Sequence, residues 1–319
     1  MNATLLLAAT ALSAAMPVFA QSYPTKPVRM VIAFAPGGGT DIVGRIIAQK
    51  LTEIWPHPVV VDNRPGAGSI VGTEIVAKAV PDGYTIQTVS MSHALNLALY
   101  RKLPYDPLRD FAHVILAARA PNVLVVNSSL PVKSVKDVIE LAKTQPGKLH
   151  FSSSGTGGVS HLSAEMFRTV AKIDIVHVPY KGAGPAMTAL LSNEVQLMMA
   201  TTPVALTQMK ANRVRAIAVS SRKRSSLAPD LPTVAEAGFP GFETDTWYGV
   251  LAPVRVAPAV VAKINADMAR LLKTREVQVQ LEQQGAEAAG GTPQEFRAFA
   301  EAELARWSKV IRAAGIEPN

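Results

Sequence analysis

"FAPGGGTDIVGRIIAQKL", Phe34–Leu51, joins two kinds of pattern. The apolar run Val31-Ile32-Ala33-Phe34 ends in a proline and three successive glycines. A threonine and an aspartate then lead into helical spacing. "VRMVIAF" reads as a strand, and "DIVGRIIAQKLTEIW" sets Ile42, Val43, Ile46, Ile47, Leu51 and Ile54 on one face of a helix. A strand turning through Gly37-Gly38-Gly39 into a helix N-capped near Thr40 or Asp41 leaves backbone N–H groups unpaired at that end. Such a terminus carries partial positive charge and attracts anions. No Gly-Lys-Ser/Thr follows the glycines, so this is not a phosphate loop. Nor is it a dinucleotide turn, because Ile42 stands where the third glycine belongs.

The alternation extends outward from this join. "PVVVDN" and "GYTIQTVS" read as strands around the turn "RPGAGS" and the helix "IVGTEIVAKAV". A second set of units begins near Pro121, with strands "NVLVVNSS", "KLHFSSS", "DIVHVPY", "VQLMMATT" and "RVRAIAVSS". Between them lie helices "VKDVIELAKTQ", "LSAEMFRTVA" and "PAMTALLSN". "LAPDLPTVAEAGFPGFE" reads as surface loop, and the chain is mostly helical from Pro258. Strands alternating with helices predict an α/β fold of parallel βαβ units. A chain of 319 residues exceeds what one compact core usually holds, which predicts two lobes.

The logic of the glycine join recurs once. "FSSSGTGGVSHLSAEMF", Phe151–Phe167, again runs from a strand through small residues into a helix start. Ser152, Ser153, Ser154 and Thr156 offer hydroxyls, while Gly155, Gly157 and Gly158 let a ligand approach the backbone. One such loop in each half of the chain predicts a cleft suited to a small anion, with both lobes closing on it.

Composition narrows the classes further. Lys and Arg total 32 against 24 Asp and Glu, giving a net charge of +8. The densest basic cluster is only Arg222-Lys223-Arg224, with no aromatic-rich basic stretch beside it, so nucleic acid is not an expected partner. There is no cysteine, which removes disulfides, thiolate metal sites and cysteine nucleophiles. Six single histidines give no paired-histidine metal site, so no metal or cofactor is expected. At the start, "LLLAATALSAAMPVFA" is an apolar stretch ending in a small-residue cleavage pattern, read as a signal peptide cut after Ala20. Its first residues, Met1-Asn2-Ala3-Thr4, lack the usual Lys or Arg. The mature protein is expected to be exported and soluble.

Several stretches together resemble the Bug family, the periplasmic solute receptors of tripartite tricarboxylate transporters. They are "YPTKPVRMVIAFAPGGGTDIVGRIIAQKL", "VVVDNRPGAGSIVGTEIVAKAVPDGYT", "LYRKLPYDPLRDF", "HVPYKG", "DLPTVAEAGFPGFE" and "VIRAAGI". The resemblance runs from about Tyr23 to Ile316. It implies a two-lobed periplasmic-binding-protein fold, type II-like, with the ligand cleft between the lobes and a helical C-terminal segment returning to the first. The expected division is a signal peptide at 1–20, lobe 1 at 21–121 plus 246–319, and lobe 2 at 122–245. It further implies a monomeric receptor for a small carboxylate, held largely through backbone groups and water, and membrane permease subunits as partners. Carried over, the binding loops are Ala35 to Asp41 and Ser153 to Gly157. Some relatives that bind amino acids have an aspartate after the "VQLMM" strand. Ala200, Thr201 and Thr202 stand there in this chain, which favours a simple or hydroxylated carboxylate.

The expected ligand contacts are therefore Ala35, Pro36, Gly37, Gly38, Thr40 and Asp41 from the first loop and Ser154, Gly155, Thr156 and Gly157 from the second. Ser90, His93, Thr201 and Tyr248 are expected to complete them. Ser90, Ser92 and His93 follow a strand at its carboxyl end, where open α/β sheets bind ligands; hydrogen bonding within their own loop is the competing role. Trp247 and Tyr248 stand where the chain recrosses between lobes, as cleft wall or as core. His161 is expected to be structural, Lys181 to hold its turn, and Arg64 to fix the turn beside Pro65. The rival to a receptor is a serine hydrolase using Ser154 with His161 beside a helix N-terminus. Against it, the chain has no G-x-S-x-G motif. A third reading is a periplasmic sensor that signals to a membrane partner through the same closed form.

Overall fold

The computed structural model describes residues 23–225, 228–313 and 318. The signal peptide expected at 1–20 and the end of "VIRAAGI" lie outside them. The chain opens with β1 (Val28–Ile32), α1 (Gly39–Ile54), β2 (Val59–Asn63), a 3-10 turn (Ala67–Ser69) and α2 (Ile70–Ala77). β3 (Thr85–Ser90), α3 (Ser92–Leu99) and β4 (Phe111–Ala120) follow. Beyond Pro121 come β5 (Asn122–Asn127), α4 (Val135–Thr144), β6 (His150–Ser153), α5 (Val159–Ala171) and β7 (Val176–Pro179). Next are α6 (Ala183–Leu191), β8 (Leu197–Thr201), α7 (Thr202–Lys210) and β9 (Val214–Val219). The last stretch holds β10 (Thr246–Pro253), α8 (Pro258–Leu272), α9 (Arg275–Gln283), β11 (Glu287–Gly290) and α10 (Pro293–Ala313).

These elements make two lobes, one on each of two sheets. The first sheet runs β11-β4-β10-β3-β1-β2, and the second runs β7-β6-β8-β5-β9. β1 pairs in parallel with both β2 and β3, and β6 pairs in parallel with both β7 and β8. Each parallel trio is built by helical crossovers, as the alternating pattern requires. Outside these parallel units the pairings are antiparallel. β10 runs antiparallel between β3 and β4, β11 is antiparallel to β4, and β5 is antiparallel to β8 and β9. β5 and β10 are the strands on which the chain enters a sheet from the other lobe, whereas β11 follows β10 through α8 and α9 and shares its direction against β4.

Both faces of the first sheet are covered. Val43, Ile47 and Leu51 of α1 and Ile264 and Met268 of α8 bury one face with Val28, Met30 and Ile86. Trp247, Phe296, Trp307 and Ile311 bury the other with Val31 and Leu95, so α10 closes this lobe. Each such side chain contributes roughly 1.5–3 kcal/mol on burial. The helical face expected of α1 is thus real but narrower, since Ile54 stays exposed. In the second lobe Phe151, Phe167 and Leu197 lie under one face, and Met187, Met198 and Val204 under the other. This packing aims the amino ends of α1, α3, α5, α6 and α7 at the space between the sheets.

Candidate binding site between the lobes

α1 begins one residue earlier than its sequence suggests. Its N-cap is Gly38, in extended backbone and with no side-chain cap. The expected cap at Thr40 or Asp41 is therefore corrected. The first intrahelical bond runs from the Ile42 N–H to the Gly38 carbonyl, leaving the amides of Gly39, Thr40 and Asp41 without helical partners. Asp41 does not face the cleft. Its carboxylate accepts from the Gly37 N–H (3.0 Å), the Arg45 guanidinium (3.0 Å) and Asn63 Nδ2 (2.9 Å), while Asn63 also donates to the Phe34 carbonyl (3.0 Å). The aspartate latches the glycine loop to β2 from behind.

What stands opposite the glycine loop is the other lobe, and the tight approach is at Gly184. A Cβ built on Gly37 would come within 4.0 Å of Gly184 Cα, and one on Gly184 within 2.5 Å of the Pro36 carbonyl oxygen. The Ala35 N–H donates to the Lys181 carbonyl across the same seam (3.3 Å). Ala35, Pro36 and Gly37 thus touch the "PYKGAG" turn. They line neither of the two interlobe chambers described next.

The inner chamber is small, about 20 Å³, and residues from both lobes line it. Gly38, Gly39, Thr40, Ser90 and Ser92 come from the first sheet's loops; Ser154, Val159, Ala183 and Thr201 come from the second's. Thr246 and Tyr248 of β10 complete the wall. Three hydroxyls here, Thr201 Oγ1, Thr246 Oγ1 and Tyr248 Oη, are buried without a hydrogen-bond partner in the protein. Thr201 stands beside Tyr248, close enough to interact but outside hydrogen-bonding geometry. A Cβ on Gly39 would strike both of their oxygens. Burial pushes the Tyr248 phenol well above its usual pKa, so it remains a donor throughout the physiological range. Unpaired buried hydroxyls cost about 1–3 kcal/mol each, and the two of Thr201 and Tyr248 beside Gly39 at a helix N-terminus suit an acceptor-rich anion.

The outer chamber, about 260 Å³, adjoins the inner one through Phe34 and Ser154. Gly66, Ala67, Gly68 and Ser69 form one wall and Ser154, Gly155 and Thr156 another, with Tyr100, Tyr180 and Lys181 around them. The turn "RPGAGS" carried no site expectation, yet it contributes most of one wall. Its signal was there in the two glycines flanking Ala67.

The second loop is internally knitted. Ser160 Oγ accepts from the Ser154 N–H (2.9 Å) and lies 3.0 Å from Ser154 Oγ. His161 Nδ1 accepts from the Gly157 N–H (3.2 Å), and its ring lies 4.1 Å from that of His177. Burial lowers the His161 pKa to about 3 and the His177 pKa to about 4. Gly157 packs on Leu99 and lines neither chamber. His93 also leaves the expected set, because its Nε2 pairs with the Pro107 carbonyl (2.9 Å) and its ring meets Phe111 edge-on. Burial holds its pKa near 4. Trp247 is core, stacked edge-on against Phe296 and Phe299. Arg64 pairs with Asp62 and holds its own turn.

Of the expected contacts, the inner chamber unites Gly38, Thr40, Ser90, Ser154, Thr201 and Tyr248. Gly155 and Thr156 line the outer one. Gly39 lay within the carried-over loop Ala35 to Asp41 but was not among the named contacts, and Thr246 was missed. Gly39 stood hidden within its own triplet, and Thr246 had no pattern to mark it.

Known proteins share this architecture. BugT of Bordetella pertussis is 36% identical over 323 residues, covering 99% of each chain. An R. palustris protein solved with adipate superposes with a TM-score of 0.91 at 40% identity, over 93% of this chain and all of that one. MatC of Rhodopseudomonas palustris, solved with bound malate, gives 0.86 at 31% identity, over 91% of this chain and all of that one. The family profile of the tripartite tricarboxylate transporter receptor, TctC, matches residues 43–316. Fold, cleft and sequence agree: this chain belongs to the tripartite tricarboxylate transporter receptor (TctC) family, whose receptors bind solutes.

Proposed function

We propose that this protein is a periplasmic receptor that grips a small carboxylate between its lobes and delivers it to a tripartite tricarboxylate-type membrane permease. The observation that carries this reading is the pair of unpaired buried hydroxyls of Thr201 and Tyr248 beside Gly39 at the uncapped start of α1, with the unpaired Thr246 on the same chamber wall. An ionised carboxylate offers about four acceptor positions and suits donors that have nothing else to bind. Hydrogen bonds to a charged group contribute roughly 1.5–3 kcal/mol each, so a few suffice for micromolar binding without an arginine clamp. The adipate and malate held by the two related structures support a carboxylate here. In this reading lobe 1 spans 21–121 plus 246–319, lobe 2 spans 122–245, and the connections at Pro121 and Asp245 act as hinges. Among the described residues no helix is long and apolar enough to cross a membrane. Export through the segment at 1–20 accords with the periplasmic location of family receptors.

The hydrolase alternative needs a base on Ser154. Its hydroxyl meets Ser160, and His161 spends Nδ1 on the Gly157 amide. A thermal-shift screen of carboxylates on the mature protein tests the receptor reading, since a ligand bound only by the folded state raises stability. A rise in Tm with at least one carboxylate is expected. Ester or amide turnover that disappears in Ser154→Ala would favour the enzyme instead.

A further inference from the structure

We propose that Asn96 is a positioning residue of the cleft. With Tyr105 and Thr73 behind it, it holds the turn at 66–69 in the form that meets the opposite lobe, and so sets how firmly the lobes close. This rests on the receptor reading, in which closure grips a carboxylate. Asn96 acts without touching the ligand: Asn96, Thr73, Gln87 and Tyr105 are all buried and line neither chamber.

The turn needs an external hold. Ala67 (φ 43°), Gly68 (φ 61°) and Ser69 (φ 84°) are successive left-handed residues, and Ala67 and Ser69 carry side chains that disfavour this conformation. Such strain persists where the surrounding structure imposes it. Inside the turn the Ser69 N–H donates to the Gly66 carbonyl (3.1 Å) and the Ile70 N–H to the Ala67 carbonyl. Asn96 supplies the hold from α3. Its Nδ2 donates to the Gly68 carbonyl and to Ser69 Oγ, each at 3.3 Å, bridging two of the left-handed residues. The same turn meets the second lobe. A Cβ on Gly68 would come within 3.0 Å of the Thr156 carbonyl oxygen, and one on Gly155 within 3.8 Å of Gly68 Cα. Backbone stands against backbone here, so a shift of the turn opens or blocks the seam.

Behind Asn96 stands a buried polar cluster. Tyr105 Oη lies close to Asn96 and Thr73, outside hydrogen-bonding geometry, and Thr73 Oγ1 accepts from Gln87 Nε2 (2.8 Å). Asn96 Oδ1, Tyr105 Oη and Gln87 Oε1 have no partner among the described residues. Buried polar groups of this kind oppose stability, and they persist where they share enclosed water or serve a site. The cluster also gives the stretch "LYRKLPYDPLRDF" a task. Tyr100 stands in the outer chamber wall, its Oη 2.9 Å from where a Cβ on Gly68 would lie. Tyr105 is set edge-on against Phe111, and Asp106 ties the loop by accepting from the Leu108 and Arg109 amides (2.9 and 3.0 Å). The stretch thus reaches the turn directly at Tyr100 and through Asn96 at Tyr105.

Two measurements on the mature chain test this, the first without ligand. In Asn96→Leu the Ser69 and Ile70 amides should exchange with deuterium about tenfold faster, the effect of losing one or two net hydrogen bonds, while amides of β1 and β3 keep their rates. Tyr105→Phe, which removes a single oxygen, should move them the same way by less, and it carries both measurements if Asn96→Leu does not fold. In calorimetric titration with adipate and with malate, Asn96→Leu should weaken whichever the unaltered protein binds by at least about fivefold. Where both bind, the factor should be the same, because only the population of the closed form has changed. Unchanged exchange at Ser69 and Ile70 in both variants, or equally faster exchange across β1 and β3, overturns the hold on the turn. Faster exchange at the turn with unchanged affinity overturns its link to closure. If the unaltered protein binds neither acid, the link to affinity falls with the support these two ligands lend the receptor reading, while the exchange rates still decide whether Asn96 holds the turn.

Discussion

Tyr248 shows how a single side chain can oppose stability and serve binding. Its hydroxyl is buried and unpaired, so Tyr248→Phe removes a desolvation cost from the ligand-free protein. The variant should be as stable as the original or more so, by up to about 1 kcal/mol, yet bind carboxylate about 10- to 100-fold more weakly. Thermal melts and titration calorimetry on the two proteins measure both effects; unchanged affinity would remove Tyr248 from the site. Gly39 makes the complementary case. A methyl group there would displace Tyr248 and Thr201, so Gly39→Ala should abolish binding. At Gly38 a Cβ finds ordinary contacts at 3.6–3.8 Å in extended backbone, so Gly38→Ala should cost little affinity. Residue types alone could not separate these neighbours. "GGG" reads alike at each position, and only the arrival of β10 from 200 residues away distinguishes them.

At the scale of elements, the glycine loop depends on its latch. Asp41→Ala leaves the Gly37 amide, Arg45 and Asn63 without their shared acceptor. Loss of about 2–4 kcal/mol of stability is expected, as for removal of one partner from a buried charged network, together with weakened binding. Denaturant titration measures the first, and an unchanged midpoint would contradict the latch. The join between β1 and α1 was legible because period-two and period-3.6 patterns meet at glycines, and the second loop was legible for the same reason. β4, β10 and β11 were not read as strands, and neither their placement nor their reversed direction was foreseen. A strand's neighbours are set by where the chain re-enters a sheet, which carries no local signature. The 3-10 turn at Ala67–Ser69 was read as a plain turn because its strain lies in dihedral angles, not in composition.

For the whole molecule, acid should loosen the fold. Burial lowers the pKa values of His93, His113 and His177 to about 4 and that of His161 to about 3, against an ordinary 6.5. Their neutral forms are favoured by folding. Below pH 6.5 the unfolded chain takes up protons that the folded chain refuses, and stability falls with pH down to about 4. Asp245 works the other way. Burial raises its pKa to about 6, so its contribution is present at low pH and is lost as pH rises through that value. Four groups outweigh one, and Tm should drop steadily between pH 6.5 and 4.5; a flat profile would contradict this assignment.

The two lobes meet along glycine seams, Gly37 against Gly184 and Gly68 against Gly155. The cleft is therefore closed by backbone, and a ligand inside it is held by donors that have no other partner. A crystal structure of the protein with its tightest-binding carboxylate tests that claim most directly. The account predicts a carboxylate within hydrogen-bonding distance, directly or through one water, of Thr201 Oγ1, Thr246 Oγ1 and Tyr248 Oη. A ligand seated elsewhere, with those three hydroxyls still unpaired, would contradict it.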